Sequence, residues 1–283
     1  MGLSALLQDL RDMPAWPSID SEMTPTRIAV KTLQQDSGSA AADAFNCSSA
    51  DLCEKSLRRR IGHTLCISKG DWTYVGPEYG QAAICDQPAR ILFVSMERPK
   101  SREPDSFEKT QQSFRHACLK RSNPHMGGTD TILAYLLDRG TPEERRCQQF
   151  ALTNSVRCSP ITGDSRSRST PRMLAECRRH TEAIIEALRP HIIVTQGANP
   201  YDSVAHGLFL QGKQPLFRND NNRLGRSRRF AEVRRDRGVL ILRTAHPARY
   251  PDFRWNKGKL PAHLAEAIRD LRERWRHAIA RQS

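Results

Sequence analysis

Residues 149–160 read Q-F-A-L-T-N-S-V-R-C-S-P, and residues 170–197 read T-P-R-M-L-A-E-C-R-R-H-T-E-A-I-I-E-A-L-R-P-H-I-I-V-T-Q-G. Between them runs an arginine-serine loop, I-T-G-D-S-R-S-R-S. Phe150–Val156 reads as a buried strand whose end carries Asn154 and, shortly after, Cys158. In the second stretch positions 174, 177, 184, 185 and 188 fall on one face of a helix that starts after Pro171. Pro190 ends that helix, because proline cannot donate to the next turn. Ile192–Thr195 then makes another strand, stopping at Gly197. The unit is therefore strand, helix, strand. It leaves Cys158 and Cys177 on consecutive elements, where they look like half of a metal or iron-sulfur site.

The same pattern extends outward. A-R-I-L-F-V-S, 89–95, is a continuous apolar run of the kind a strand buried on both faces requires. W-T-Y-V-G-P-E-Y-G, 72–80, is a short strand closed by turn residues. Thr129–Asp138, Pro200–Leu208 and a closing stretch near Pro261–Ala280 read as helices. Phe230–Val233 and Val239–Thr244 read as a hairpin. Residues 46–90 otherwise look irregular, 101–123 look like a polar excursion, and 211–229 like a basic loop. Strands alternating with helices predict a three-layer α/β/α sandwich with a mostly parallel central sheet. Residues 1–45 read as an N-terminal extension, with short helices at Leu3–Leu10 and Pro25–Gln35, and 46–283 as one α/β domain. In open sheets of this kind ligands bind beyond the carboxyl ends of the strands. Glu97, Asn154, Gly197 and His246 all fall at or just past such ends, which makes that rim the candidate site.

The chain carries a formal charge of +14 and a pI near 9.8. Arginine supplies most of it, at 58–60, 165–172 and 223–229. Guanidinium forks match phosphate geometry, and basic clusters gain affinity for nucleic acid by releasing counterions. An ordinary solvated basic surface is the other reading. No stretch approaches the roughly 20 apolar residues that span a bilayer. The first residues lack the pattern of a signal peptide. A cytoplasmic, monomeric protein with no membrane partner is the expectation. Of eight cysteines, few are expected to pair as disulfides in that compartment. Cys118 and Cys147 have no ligand-like neighbours and read as small buried residues.

Taken in order, these segments resemble the uracil-DNA glycosylase superfamily, and most resemble its family-four, iron-sulfur branch. Its first motif is usually G-E-G-P-G or G-E-A-P-G. M-E-R-P-K, 96–100, stands in its place, keeping Glu97 and Pro99 while Met96, Arg98 and Lys100 replace small residues. P-H-M-G-G-T-D-T-I-L, 124–133, resembles P-F-V-G-R-A-G-x-L-L, with His125 where the family has a base-stacking aromatic. T-N-S-V-R-C-S-P, 153–160, resembles T-N-V-V-K-C-R-P, and H-P-A-R-Y, 246–250, resembles H-P-S-x-L. The likeness covers roughly residues 60–280.

The resemblance implies a DNA glycosylase that flips a base and hydrolyses its N-glycosidic bond. Uracil is the first candidate base. A modified pyrimidine, of the kind found in phage DNA, is the second, and would make the activity a defence rather than a repair function. Glu97 would position water and stabilise the cationic sugar. His246 would donate to a base oxygen, Asn154 would bond the base edge, and His125 would stack on the base. Arg166, Arg168, Arg226, Arg228, Arg229 and Arg249 would hold DNA. Cys158 and Cys177 would be two ligands of a structural 4Fe-4S cluster. In the family's C-x-x-C the first place is here His63 and the second Cys66, so the missing thiolate would be Cys53, or Cys47 by a longer loop. Zinc competes, since four thiolates also hold it. Each residue has a plainer alternative: a solvated Glu97, a turn-capping Asn154, a core His246, a surface-loop His125, buried unliganded cysteines. Two further functions compete, a non-catalytic DNA-binding or damage-sensing module and a zinc-bound RNA-binding protein.

Overall fold

The computed structural model of the protein describes residues 47–61, 67–68, 73–96, 107–120, 124–160, 169–209, 232–236, 239–247 and 260–279. Six strands form the main sheet. In spatial order they are β2 (Tyr74–Val75), β6 (Phe150–Asn154), β5 (Ile91–Ser95), β8 (Ile192–Gln196), β10 (Val239–Thr244) and β9 (Glu232–Asp236). The four central strands β6, β5, β8 and β10 run parallel, and β2 and β9 close the edges antiparallel. Every residue of the four parallel strands is buried. This is why they read as continuous apolar runs rather than alternating ones.

Alternate side chains feed two cores. Ile91, Phe93, Phe150, Leu152, Ile192, Val194, Leu240 and Leu242 join one. Against them pack α2 (Phe107–Leu119), α3 (Pro124–Leu136) and α7 (Ala262–Ile279), through residues such as Cys118, Ile132, Leu133, Ile268 and Leu271. Leu92, Val94, Ala151, Ile193 and Ile241 join the other, covered by Ile184, Ile185 and Leu188 of α5 (Pro171–Leu188) and Tyr201 and Val204 of α6 (Ala198–Phe209). The three-layer α/β/α architecture expected from the sequence is the one observed. None of the described helices is long and apolar enough to cross a membrane.

α5 follows its sequence signals closely. Thr170 caps it by accepting from the Met173 N–H at 3.2 Å, Pro171 occupies its first turn, and Arg189 ends it in the left-handed region at φ 43°. Gly197 turns the chain from β8 into α6 at φ 120°, a conformation a side chain strains. Gly76 is required for space: a Cβ there would meet the backbone of Gln148 across the β2–β6 pair.

The structure corrects several expectations. Within 46–90 there is a helix, α1 (Ala50–Ile61), and a hairpin of β3 (Ala82–Ile84) and β4 (Gln87–Ala89). A short pair, β1 (Ile67–Ser68) with β7 (Ser159–Pro160), joins this region to the segment after Cys158. α1 has a narrow buried face, Cys53 and Leu57 at i, i+4, too small to stand out in the sequence. The 101–123 excursion contains α2. Its buried face includes Gln111, whose side chain accepts from the Val75 N–H and donates to the Thr73 carbonyl, both at 2.8 Å. A buried amide thus satisfies the free edge of β2, and its polarity hides the helix from a hydrophobic reading. α3 starts at Pro124 rather than Thr129, so His125 is a first-turn helix residue. Cys118 and Cys147, expected to be unpaired, are joined in a disulfide between α2 and the turn that follows the short helix α4 (Glu143–Arg146). Helix α2 and that turn seat both cysteines, fully buried, in the core under α3. The expected N-terminal extension, 1–45, lies outside the described residues.

Candidate active site and cysteine pocket

Parallel register brings the carboxyl ends of the four central strands level. Ser95 is opposite Asn154, and Thr244 is opposite Gln196, with Val94 opposite Thr195 one residue earlier. Ser95, Asn154, Gln196 and Thr244 therefore form one row at the rim. By strand alternation they share the face whose preceding residues join the core under α3. All four are nearly or fully buried.

α3 lays its first turn over this row. His125 Nε2 lies 2.7 Å from Gln196 Oε1 and 2.9 Å from Ser95 Oγ. Gln196 Nε2 donates to Thr129 Oγ1 at 2.9 Å, and Thr129 donates in turn to the His125 carbonyl at 3.0 Å. Burial lowers the His125 pKa, and the Gln196 bond opposes this without reversing it. His246, two residues beyond the end of β10, stacks on it with ring centroids 4.9 Å apart and planes 13° from parallel. Both rings are half-buried. One face of His125, the residue expected to stack on a base, is thus covered by His246. The strand ends are also tied to one another: Ser155 N donates to the Ser95 carbonyl at 2.8 Å and Gly197 N to the Thr244 carbonyl at 2.8 Å.

Sequence reasoning missed Gln196, Ser95 and Thr129. A glutamine closing an otherwise apolar strand, in register with Thr244, is the signal that could have found Gln196. Glu97, Arg166, Arg168, Arg226, Arg228, Arg229 and Arg249 lie outside the described residues, as does Cys66.

A second polar assembly lies where α1 docks on α5. Ser49 donates to Glu176 at 2.6 Å, Ser56 and Thr170 share a 2.7 Å hydroxyl bond, and Arg179 donates to Ser48 at 2.7 Å. These contacts hold Cys53 of α1 beside Cys177 of α5 and Cys158, in a small apolar cluster with Leu57, Val156 and Met173. Cys47 adjoins them. Its sulfur lies 3.4 Å from His180 Nε2 and 3.7 Å from an Arg179 donor. Burial, followed by the neighbouring Cys177 and Cys47 sulfurs, pushes the Cys53 thiol up to about 12. Burial also raises the Cys177 pKa, against the Arg157 N–H, which donates to its sulfur at 3.4 Å, and the Arg157 charge.

Four thiols therefore converge from three segments, and burial raises the pKa of two of them, Cys53 and Cys177. This suits a site whose thiolates form when a metal centre binds. Among the described residues the one group drawn closely enough for a single ion is Cys118, Asp130 and Cys147. Its cysteines are already joined to each other, and Asp130 is paired with Arg146 at 2.9 Å. The four converging thiols have the donor chemistry that a thiolate-bound metal centre takes. Cys158 follows Asn154 by four positions, so one short segment links this pocket to the rim.

A family model described as Uracil DNA glycosylase superfamily matches residues 83–272, from β3 into α7. No curated protein matches the chain.

Proposed function

The chain belongs to the uracil DNA glycosylase superfamily, and from that premise we propose that it is a DNA glycosylase of the iron-sulfur, family-four type. The observation that carries this reading is the linked rim. Asn154 stands opposite Ser95, Ser95 contacts His125, and His125 stacks on His246. Asn154 offers an amide that both donates and accepts, as the edge of a flipped pyrimidine requires. His246 donates to a base oxygen as negative charge develops there on bond cleavage. Glu97, two residues past the end of β5, orients water and stabilises the oxocarbenium-like sugar. The arginines of 165–172 and 223–229, with Arg249, hold the phosphates.

The residues that would hold a 4Fe-4S cluster are Cys53, Cys158 and Cys177, with a fourth thiolate from Cys47 or Cys66. Such a cluster would staple α1 to α5. Paired Cys47→Ser and Cys66→Ser variants assign the fourth ligand by which one loses iron, and a preparation holding zinc alone sinks the cluster. Residues 46–283 form the catalytic domain on this reading, and 1–45 an extension.

The substrate is uracil in DNA, with 5-substituted pyrimidines such as those of phage DNA as the competing class. The test is abasic-site formation on oligonucleotides carrying one or the other. Selective release of uracil is expected. Release from substituted DNA alone transfers the activity to defence. Binding with no release from either makes the protein a non-catalytic DNA-binding module.

A further inference from the structure

We infer that Gln196 is a positioning residue of the rim, which fixes the His125 ring in one tautomer and so fixes the surface on which His246 stacks. The Thr129 hydroxyl has one proton, and it is given to the His125 carbonyl at 3.0 Å, the i−4 bond of a helical threonine. Thr129 Oγ1 must then accept from Gln196, which turns the Gln196 Nε2 amide nitrogen toward it at 2.9 Å. That leaves Gln196 Oε1 facing His125 Nε2 at 2.7 Å. A carbonyl oxygen only accepts, so the proton of the imidazole sits on Nε2. Ser95 Oγ, at 2.9 Å, shares the same N–H. Gln196 and Thr129 are fully buried and Ser95 nearly so, so water does not compete for these bonds. Burial also lowers the His125 pKa. The sheet places Gln196 and the helix places Thr129. The two together set the plane of His125, and the parallel stack at 4.9 Å and 13° passes that plane to His246.

The consequence rests on the glycosylase reading. His246 reaches the base with its ring plane already chosen, and a glutamine on a neighbouring strand chooses it. The chain thereby puts a hydrogen-bonded imidazole, His125, where the family it resembles has an aromatic ring.

The test uses the full-length protein with nitrogen-15-labelled histidines. Two-bond nitrogen–hydrogen NMR spectra give the tautomer of His125 and the environment of His246 without any need for activity. The account expects His125 as the Nε2–H form. Gln196→Leu should convert it to a mixture of tautomers and shift the His246 ring signals, with base release lowered about tenfold in kcat and KM little changed, as for a misaligned group. Gln196→Glu, whose carboxylate accepts from Nε2–H but cannot donate to Thr129, should keep the proton on Nε2 and draw a second onto Nδ1. Thr129→Val, which frees the amide to turn over, should loosen it, and serves if Gln196→Leu does not fold. An Nδ1–H form in the unmodified protein, or unmoved His125 and His246 signals in both Gln196→Leu and Thr129→Val, overturns the inference. If the tautomer moves and an active enzyme releases base at an unchanged rate, the positioning role is also overturned. If the unmodified protein shows the lock and the coupled His246 shifts but releases no base, the positioning stands and the glycosylase reading fails.

Discussion

The rim and the cysteine pocket are both polar, both buried, and joined by the segment Asn154–Cys158, yet they are assembled in opposite ways. The rim is one row of one sheet. Parallel register sets Ser95, Asn154, Gln196 and Thr244 level, and neutral hydrogen bonds finish the job. The cysteine pocket draws on α1, the segment after β6, and α5, held by serine hydroxyls at the surface of the contact. Burial pushes two of its thiols, Cys53 and Cys177, toward the protonated form, and the Arg157 and Arg179 side chains lie nearby. The difference teaches where stability comes from. The sheet itself preorganises the rim, whereas on the proposed reading the pocket depends on the cluster its sulfurs would hold.

The largest expected effect follows from that dependence. Cys177→Ser should lose iron and the broad absorbance near ~400 nm that thiolate-held clusters give. Amide exchange should then rise across α1 while β5 and β8 stay protected. Equal loss of protection in both regions would erase the contrast. Glu97→Gln, two positions after β5 in the sequence, should lower base release on the order of 10²-fold, the usual scale for a lost acid-base or electrostatic group, with iron content unchanged. Iron loss in that variant would mean that the two regions are one unit. Arg157 tests the bridge. Its guanidinium donates to Thr73 at 2.8 Å, and its backbone N–H to Cys177. Arg157→Met should cost about 1–3 kcal/mol of stability, the scale of a buried hydrogen-bond partner removed, read from denaturant unfolding. The smallest effect concerns neither region. Neutralising Arg226, Arg228 and Arg229 together should flatten the salt dependence of DNA binding by about 2–3 units of slope and leave the substrate preference alone.

The four parallel strands were legible because both their faces are buried, which forces continuous apolar runs such as Ile91–Ser95. α5 was legible because threonine, proline and an apolar stripe all mark it. Asn154, His246 and the cysteines could be picked out because their residue types are unusual at strand and helix ends. What stayed hidden depends on partners distant in sequence. Gln111 reads as a surface residue until β2 is placed beside it. Gln196 reads as a strand terminus until the first turn of α3 lies over it. The disulfide of Cys118 with Cys147 joins residues 29 apart whose neighbours give no hint of it. α1 shows the core too little apolar surface to declare itself.

The most direct test of the account is single-turnover base release from uracil-containing DNA by the unmodified protein and by His246→Ala, with DNA binding measured on the same samples. The account predicts release slowed by at least ~10²-fold with binding preserved, as expected when an electrostatic donor to the leaving base is lost. Release at the same rate in both proteins would contradict it.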